Sequence, residues 1–191
     1  MNTVVTSRED ILKAAKALAL SEGMPPLTMR GVARSGGIAV GSIYNYFSTK
    51  DDLTIAVVAE VWREIFHPAL SGAEPAGFLE LVERILASIH DAVKAYPGFF
   101  AKHASAIANK EQGRAAMEGY FRHMHTVLLR ALQNDPAIRK NVWNAGFTPG
   151  DFAGFTLDFL RSDLMLGRER GAFLTALIRR CVYQEAVDTQ E

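Results

Sequence analysis

"LTMRGVARSGGIAVGSIYNYFSTKDDL", Leu27 to Leu53, decides the fold. Thr28 stands where a helix N-cap is wanted, and Leu27 and Val32 are placed to close over it as a hydrophobic staple. The spacing predicts a short helix from about Met29 to Ser35 that stops at Gly36-Gly37, where positive φ costs little. A second short helix follows from about Val40 to Phe47. Ser48 and Asp51 have capping-box spacing and open a longer helix through "DDLTIAVVAEVWREIF", which stops before Pro68. Ala33 is small enough for a helix crossing, and Ile38, Ile43 and Phe47 form an apolar underside. Ser42, Tyr44, Asn45 and Tyr46 then spread over the other faces.

Two helices of these lengths around a glycine turn have the proportions of a helix-turn-helix. Hydroxyl and amide tips on the second helix can donate to phosphate oxygens, and Asn45 could pair with an adenine edge. Lys50 opens the following helix, where free amides and the helix dipole already favour an anion. The bland alternatives are a half-buried Tyr44 bridging helices and a merely solvated Lys50. The polar reading explains more of the segment: it looks built to lie in a major groove between phosphate rows.

The remaining sequence is helical in pattern. Ser7 and Asp10 resemble another capping box, with Ile11, Ala15, Leu18 and Ala19 following at helical spacing until Gly23. "PALSGAEPA" breaks the composition and reads as a connecting loop. Phe78, Val82, Ile85, Ile89 and Val93 make one apolar face, ended by Pro97. "GFFAKHASAIANKEQG" is a weaker helix, and Met117, Phe121, Met124, Leu128 and Leu132 form the next stripe. Two last helices are expected at about Asp151 to Leu166 and Ala172 to Val187. With no strand alternation, the fold class is all-α, about nine helices: an N-terminal helix-turn-helix domain joined to a larger C-terminal bundle. The boundary is placed at residues 1–50 and 51–191, with the motif at 28–47 and the first domain reaching to about 65 through its fourth helix.

Composition limits the functions available. Lysine plus arginine equals aspartate plus glutamate at 21 each, so a nucleic-acid partner must be met by local charge. Met24 to Lys50 supplies it, with Arg30, Arg34 and Lys50 and no acid. Cys181 is the single cysteine, and His123 and His125 point different ways on a helix, so neither a disulfide nor a metal set is expected. Cys181 itself reads as a core residue. No cofactor is expected either. No apolar run approaches the roughly 18 residues of a membrane span, and "MNTVVTSRED" lacks the pattern of a signal peptide; the expected location is cytoplasmic.

The same 27–53 stretch resembles the N-terminal DNA-binding domain of the TetR family of bacterial transcriptional regulators, over about residues 5 to 65. Tyr44, Tyr46 and Phe47, followed by Lys50 and an acid, carry the resemblance. It implies a homodimer whose C-terminal helical domain binds a small effector, and no enzymatic activity. By motif position it implies that Thr28 and Arg30 touch backbone, that Val40, Gly41, Ser42, Tyr44, Asn45 and Tyr46 face DNA, and that Lys50 meets phosphate. Val40 and Ala39 depart from the family pattern, which more often has a polar or basic residue and a capping hydroxyl there. Val40 can only press on a thymine methyl.

An apolar bundle interior with a few polar tips is a place for a small ligand. Trp62, Phe66, Phe99, His103, Met117, Tyr120, Phe121, Met124 and Phe159 are the candidate lining. The penultimate helix is apolar around most of its circumference, more than one buried face needs, which with the final helix predicts a four-helix dimer interface around Phe155, Leu160, Leu164, Leu174 and Leu177. The expected function is a ligand-responsive regulator, most simply a repressor released from a palindromic operator. The alternative is an all-α small-molecule-binding protein or enzyme without DNA binding, for which no nucleophile and base, phosphate loop or metal set is present.

Overall fold

The computed structural model describes residues 6–21, 27–70, 77–100 and 111–183. Among these the elements are α1 (Arg8–Ala19), α2 (Met29–Gly36), α3 (Val40–Tyr44), α4 (Lys50–Leu70), α5 (Phe78–Ala95), α6 (Glu111–Asn134), α7 (Pro149–Leu166) and α8 (Gly171–Val182). The only extended pairings among the described residues are the isolated bridges Ile138–Tyr183 and Asn144–Phe147, so the class is all-α. Helical backbone resumes at Phe99 and Phe100, while most of the weak helix expected there lies outside the described residues. No helix among the described residues is long and apolar enough to cross a membrane.

The chain forms two compact units. One holds the described residues of Met1–Glu64 and Tyr96–Met117, the other those of Ile65–Ala95 and Glu118–Glu191.

In the first unit, Ser7 caps α1 as its spacing predicts: its hydroxyl accepts from the Asp10 amide at 3.1 Å, and the Asp10 carboxylate accepts from the Ser7 amide at 3.0 Å. Those hydrogen bonds hold the Asp10 carboxyl below its usual range. α1 ends at Ala19, short of Gly23. Thr28 caps α2, accepting from the Gly31 amide at 3.0 Å. Gly37 closes the helix in the left-handed region at φ 62°, where a side chain would be strained. Ile11, Leu12 and Ala15 of α1 and Val32, Ala33, Ile43 and Phe47 of the motif are buried.

Three expected boundaries around α3 and α4 move, and the last helix ends at Val182, with Tyr183 already extended, rather than at Val187. α3 ends at Tyr44 rather than near Phe47, because the Tyr46 amide reaches back only three residues, to the Ile43 carbonyl at 3.0 Å. The capping box before α4 is Thr49 with Asp52, not Ser48 with Asp51: the Thr49 amide donates to Asp52 at 2.9 Å and the Asp52 amide to Thr49 at 3.1 Å. α4 also does not stop before Pro68 but runs through it to Leu70. Pro68 is on the exposed side, so the carbonyl one turn back that loses its donor can be hydrated.

The second unit packs α5 with α7 and α8 around Phe78, Leu81, Val82, Ile85, Leu160, Leu164, Leu174 and Ile178, all buried. The start of α5 is capped from far along the chain. Asp135 accepts from the Phe78 amide at 2.8 Å and the Ala137 amide at 2.9 Å, and also from the Tyr183 hydroxyl. That hydroxyl in turn accepts from the Leu79 amide at 3.0 Å. Gly77 is required there, since a Cβ would fall 2.3 Å from an Asp135 oxygen.

Burial, then the bond to Asp135, raises the Tyr183 pKa well above the ordinary 10.0, and burial alone raises that of Tyr120. Tyr96 is raised by burial and by the Glu64 carboxylate that accepts its hydroxyl at 3.1 Å. The folded chain therefore keeps these protons longer than the unfolded chain. Their contribution is fully present below pH about 10 and is lost as pH rises beyond it. In an alkaline titration the phenolate absorbance of these three tyrosines should appear together with loss of helical circular dichroism. A complete five-tyrosine signal from a protein still fully helical would contradict that.

Candidate nucleic-acid interface

The exposed face of α3 is built by what lies beneath it. Ile43 is fully buried and Phe47 is 4% exposed, so the helix has one anchored side and the rest is presented outward. Val40, Gly41, Tyr44, Asn45 and Tyr46 are exposed and Ser42 is half-buried. Tyr44 is 52% and Tyr46 46% exposed.

Gly41 has open space around it: an added Cβ would meet nothing within 4 Å. Glycine inside a helix costs about 1 kcal/mol relative to alanine, and no neighbour in the fold demands it here. Thr28 spends its acceptor on Gly31 and retains its hydroxyl proton for an outside oxygen. Arg30 is exposed in the first turn of α2. Lys50 is 58% exposed at the start of α4 and 3.9 Å from an Asp51 oxygen, a loose contact in water. Ala39 gives α3 no side-chain cap, as its identity requires.

Two contacts at this surface have no signature in the sequence. The Tyr46 hydroxyl donates to the Thr6 carbonyl at 2.9 Å. The Arg8 guanidinium stands 5.2 Å from the Phe47 ring centroid. Both join the start of the described chain to the end of the recognition segment, a separation of 40 residues for the first of them that no local pattern reveals.

The candidate effector residues fall into separate groups. In the first unit Trp62 and Phe99 are buried against Phe100, with centroids 5.6 and 5.2 Å from it, and Met117 is buried. In the second, Phe66, Tyr120 and Phe121 form a ring series at 6.0 and 6.3 Å, with Met124 buried. Phe159 stands apart from that series. It lies in a row with Phe155 and Phe173, at 6.3 and 6.1 Å, under the Arg170 guanidinium. His103 lies outside the described residues. A 410 Å³ groove in the second unit, lined by Leu86, Ile89, His90, Val93, Arg168 and Glu169 among others, contains none of the nine. Among the described residues no cluster of His, Cys, Asp or Glu is arranged to hold a metal ion.

Comparison with known proteins agrees with this geometry. Residues 11–57 match the family model for bacterial regulatory proteins of the tetR family. The HTH-type transcriptional repressor KstR of Rhodococcus jostii (strain RHA1) is 33% identical over 124 residues, 60% of this chain and 57% of KstR. The chain thus spans a little under three-fifths of that relative's length. Among solved structures, the reduced form of NemR from E. coli superposes with a TM-score of 0.62 at 18% identity, covering 94% of this chain and 99% of that one. A TetR-family member from Streptomyces coelicolor A3 superposes at 0.63 and 17% identity, over 93% and 98%. The sequence match to the tetR family model falls on the capped, glycine-turned motif, and the fold shared with these solved structures extends over nearly the whole chain.

Proposed function

We propose that this chain is a ligand-responsive transcriptional regulator of the cytoplasm. In this reading it is a homodimer through α7 and α8 that represses from a palindromic DNA operator and is released by a small, partly apolar effector. The observation that carries the reading is the outward face of α3. Tyr44 and Asn45 are exposed on a segment anchored from below, beside a glycine whose missing side chain serves no contact in the fold. A glycine of that kind lets a backbone come close to a partner. Thr28, Arg30 and Lys50 flank the face with donors for phosphate, and Ser42 and Val40 complete it.

Dimerisation is supported by Phe155, Leu166 and Phe173, which are 46%, 58% and 61% exposed on the last two helices. Leu160, Leu164 and Leu174 belong to the protomer's own core, at 0–2% exposure, and are not part of the contact. The effector reading is supported by the aromatic series of buried Phe66 with half-buried Tyr120 and Phe121, beside buried Met124. Trp62, Phe99 and Met117 are further apolar candidates, and Phe159 fits the dimer surface better than a pocket. Effector binding would shift a population between two spacings of the recognition helices.

The test is binding to duplexes from the regions flanking the gene. Two recognition helices related by a two-fold axis should protect a palindromic site. Lys50→Ala should weaken matched and mismatched duplexes almost equally and flatten the salt dependence. Asn45→Ala should relax specificity at one position, by about 1–3 kcal/mol if its amide pairs bidentately. Tyr44→Phe keeps the ring and removes only the hydroxyl. Full binding by Tyr44→Phe, with loss in Tyr44→Ala, would reduce Tyr44 to packing. Absence of binding to any duplex, or binding indifferent to salt, would favour a small-molecule-binding protein that does not touch DNA.

A further inference from the structure

We infer that the DNA-contacting surface extends to the start of α1, where Arg8 is a phosphate-binding residue and Tyr46 is the latch that positions it. This rests on the proposed DNA-binding function and adds to it two roles, on residues far apart in sequence.

α3 has five residues and no side-chain N-cap, too little to fix its own direction. Its downstream end is instead held from outside. The Tyr46 hydroxyl gives its single proton to the Thr6 carbonyl at 2.9 Å, so that proton is not available to a phosphate oxygen. Thr6 is a sound anchor because the next residue, Ser7, is locked into the α1 capping box. The latch therefore brings the first turn of α1 against the end of the recognition segment, and Arg8 arrives with it, stacked over Phe47. The stacking covers a ring that is 4% exposed and leaves Arg8 itself exposed. A guanidinium held flat by one face retains its edge N–H groups for a planar anion.

Charge separates Arg8 from two of the three other basic residues of the groove, and the third, exposed Lys13, lies more than a turn further along α1. Lys16 is paired with Glu64, and Arg63 with Glu60, so those cations are neutralised within the groove between α1 and α4. Arg8 also borders that groove but enters none of the ion pairs among the described residues. Two acids share its turn. Asp10, hydrogen-bonded to Ser7, and Glu9 are both exposed negative charges in its turn. Arg8 is thus a cation set against Phe47, and Phe47 itself precedes Lys50 by a single turn of chain. The two acids set the limit on its strength.

The test uses the full chain and a short mixed-sequence duplex, since non-specific binding reads phosphate contacts alone. Affinity is followed as potassium chloride is raised. Arg8→Gln should weaken binding roughly five- to tenfold and lower the salt slope by about 0.9 for each phosphate no longer neutralised. Arg8→Lys should keep most of the slope, and Glu9→Gln should tighten binding. Tyr46→Phe should weaken binding and, by freeing Arg8 to move, should also reduce the further loss caused by Arg8→Gln in the double variant. If Arg8 only packs on Phe47, Arg8→Gln lowers the melting temperature and leaves the salt slope unchanged, and the inference fails. Lys50→Gln is the control. If it flattens the slope while Arg8→Gln does not, DNA binding stands and the Arg8 role falls. If the unaltered chain binds no duplex, the proposed function falls first.

Discussion

Asp163→Ala should lower the stability of the second unit by about 3 kcal/mol, the largest loss expected from one side chain here. Asp163 is 1% exposed within α7 and accepts three hydrogen bonds from Arg170: from its amide at 3.0 Å, its Nε at 2.8 Å and its Nη2 at 2.7 Å. Its own carbonyl accepts from the Arg168 amide at 2.9 Å, across the left-handed Gly167 at φ 59°. One residue thus folds the whole connection from α7 to α8. Breaking a buried pair typically costs about 3–5 kcal/mol, and the lower end applies because 41% of the Arg170 side chain still reaches water. For a chain of this length that is a fall of about 6–12 °C in melting temperature by calorimetry. Asp163→Asn keeps an acceptor for the Arg170 amide and should lose less. A change below about 1 kcal/mol in Asp163→Ala would show that the loop is held by its backbone alone.

Legibility in the sequence follows the range of the interaction. The Ser7 and Thr28 caps, the left-handed Gly37 and the burial of Ile43 and Phe47 are set within a few residues, and their spacing reveals them. The α4 cap is ambiguous for a local reason. Ser48 with Asp51 and Thr49 with Asp52 both satisfy the capping pattern, and only the turn after α3 decides for the second. Pro68 misleads because proline removes one hydrogen bond, a loss that an exposed position tolerates. The candidate interface is legible as far as its helical faces. Tyr46 with Thr6, Arg8 with Phe47, and Asp135 with the start of α5 join distant parts of the chain and leave no periodic mark. The apolar excess of α7 is plain in the sequence, but composition cannot divide it between core and surface. Leu160 and Leu164 face inward, while Phe155 remains outside.

That division identifies which residues to change in order to separate folding from assembly. Phe155→Asp combined with Phe173→Asp should convert the proposed dimer into a folded chain of 21.0 kDa and abolish high-affinity binding to the proposed palindromic duplex. Phe155 and Phe173 are 46% and 61% exposed in the protomer, so charging them removes little from its own core. They flank Phe159, and Arg170, held by Asp163, covers that middle ring at 4.5 Å. The row is therefore rigid before any partner arrives, which spares association part of its ordering cost. In a two-fold interface each ring counts twice. At about 1.4 kcal/mol for burying the exposed half of each ring, four rings amount to roughly four powers of ten in the dimer dissociation constant. Desolvating the new carboxylates adds to the loss. Sedimentation at micromolar concentration should show the altered chain at the monomer mass with unchanged helical circular dichroism. Binding to a single half-site should persist weakly, because Tyr44, Asn45 and Lys50 are untouched. A variant that still sediments at twice the chain mass would move the interface away from α7 and α8, and the exposed aromatic row would then need another occupant.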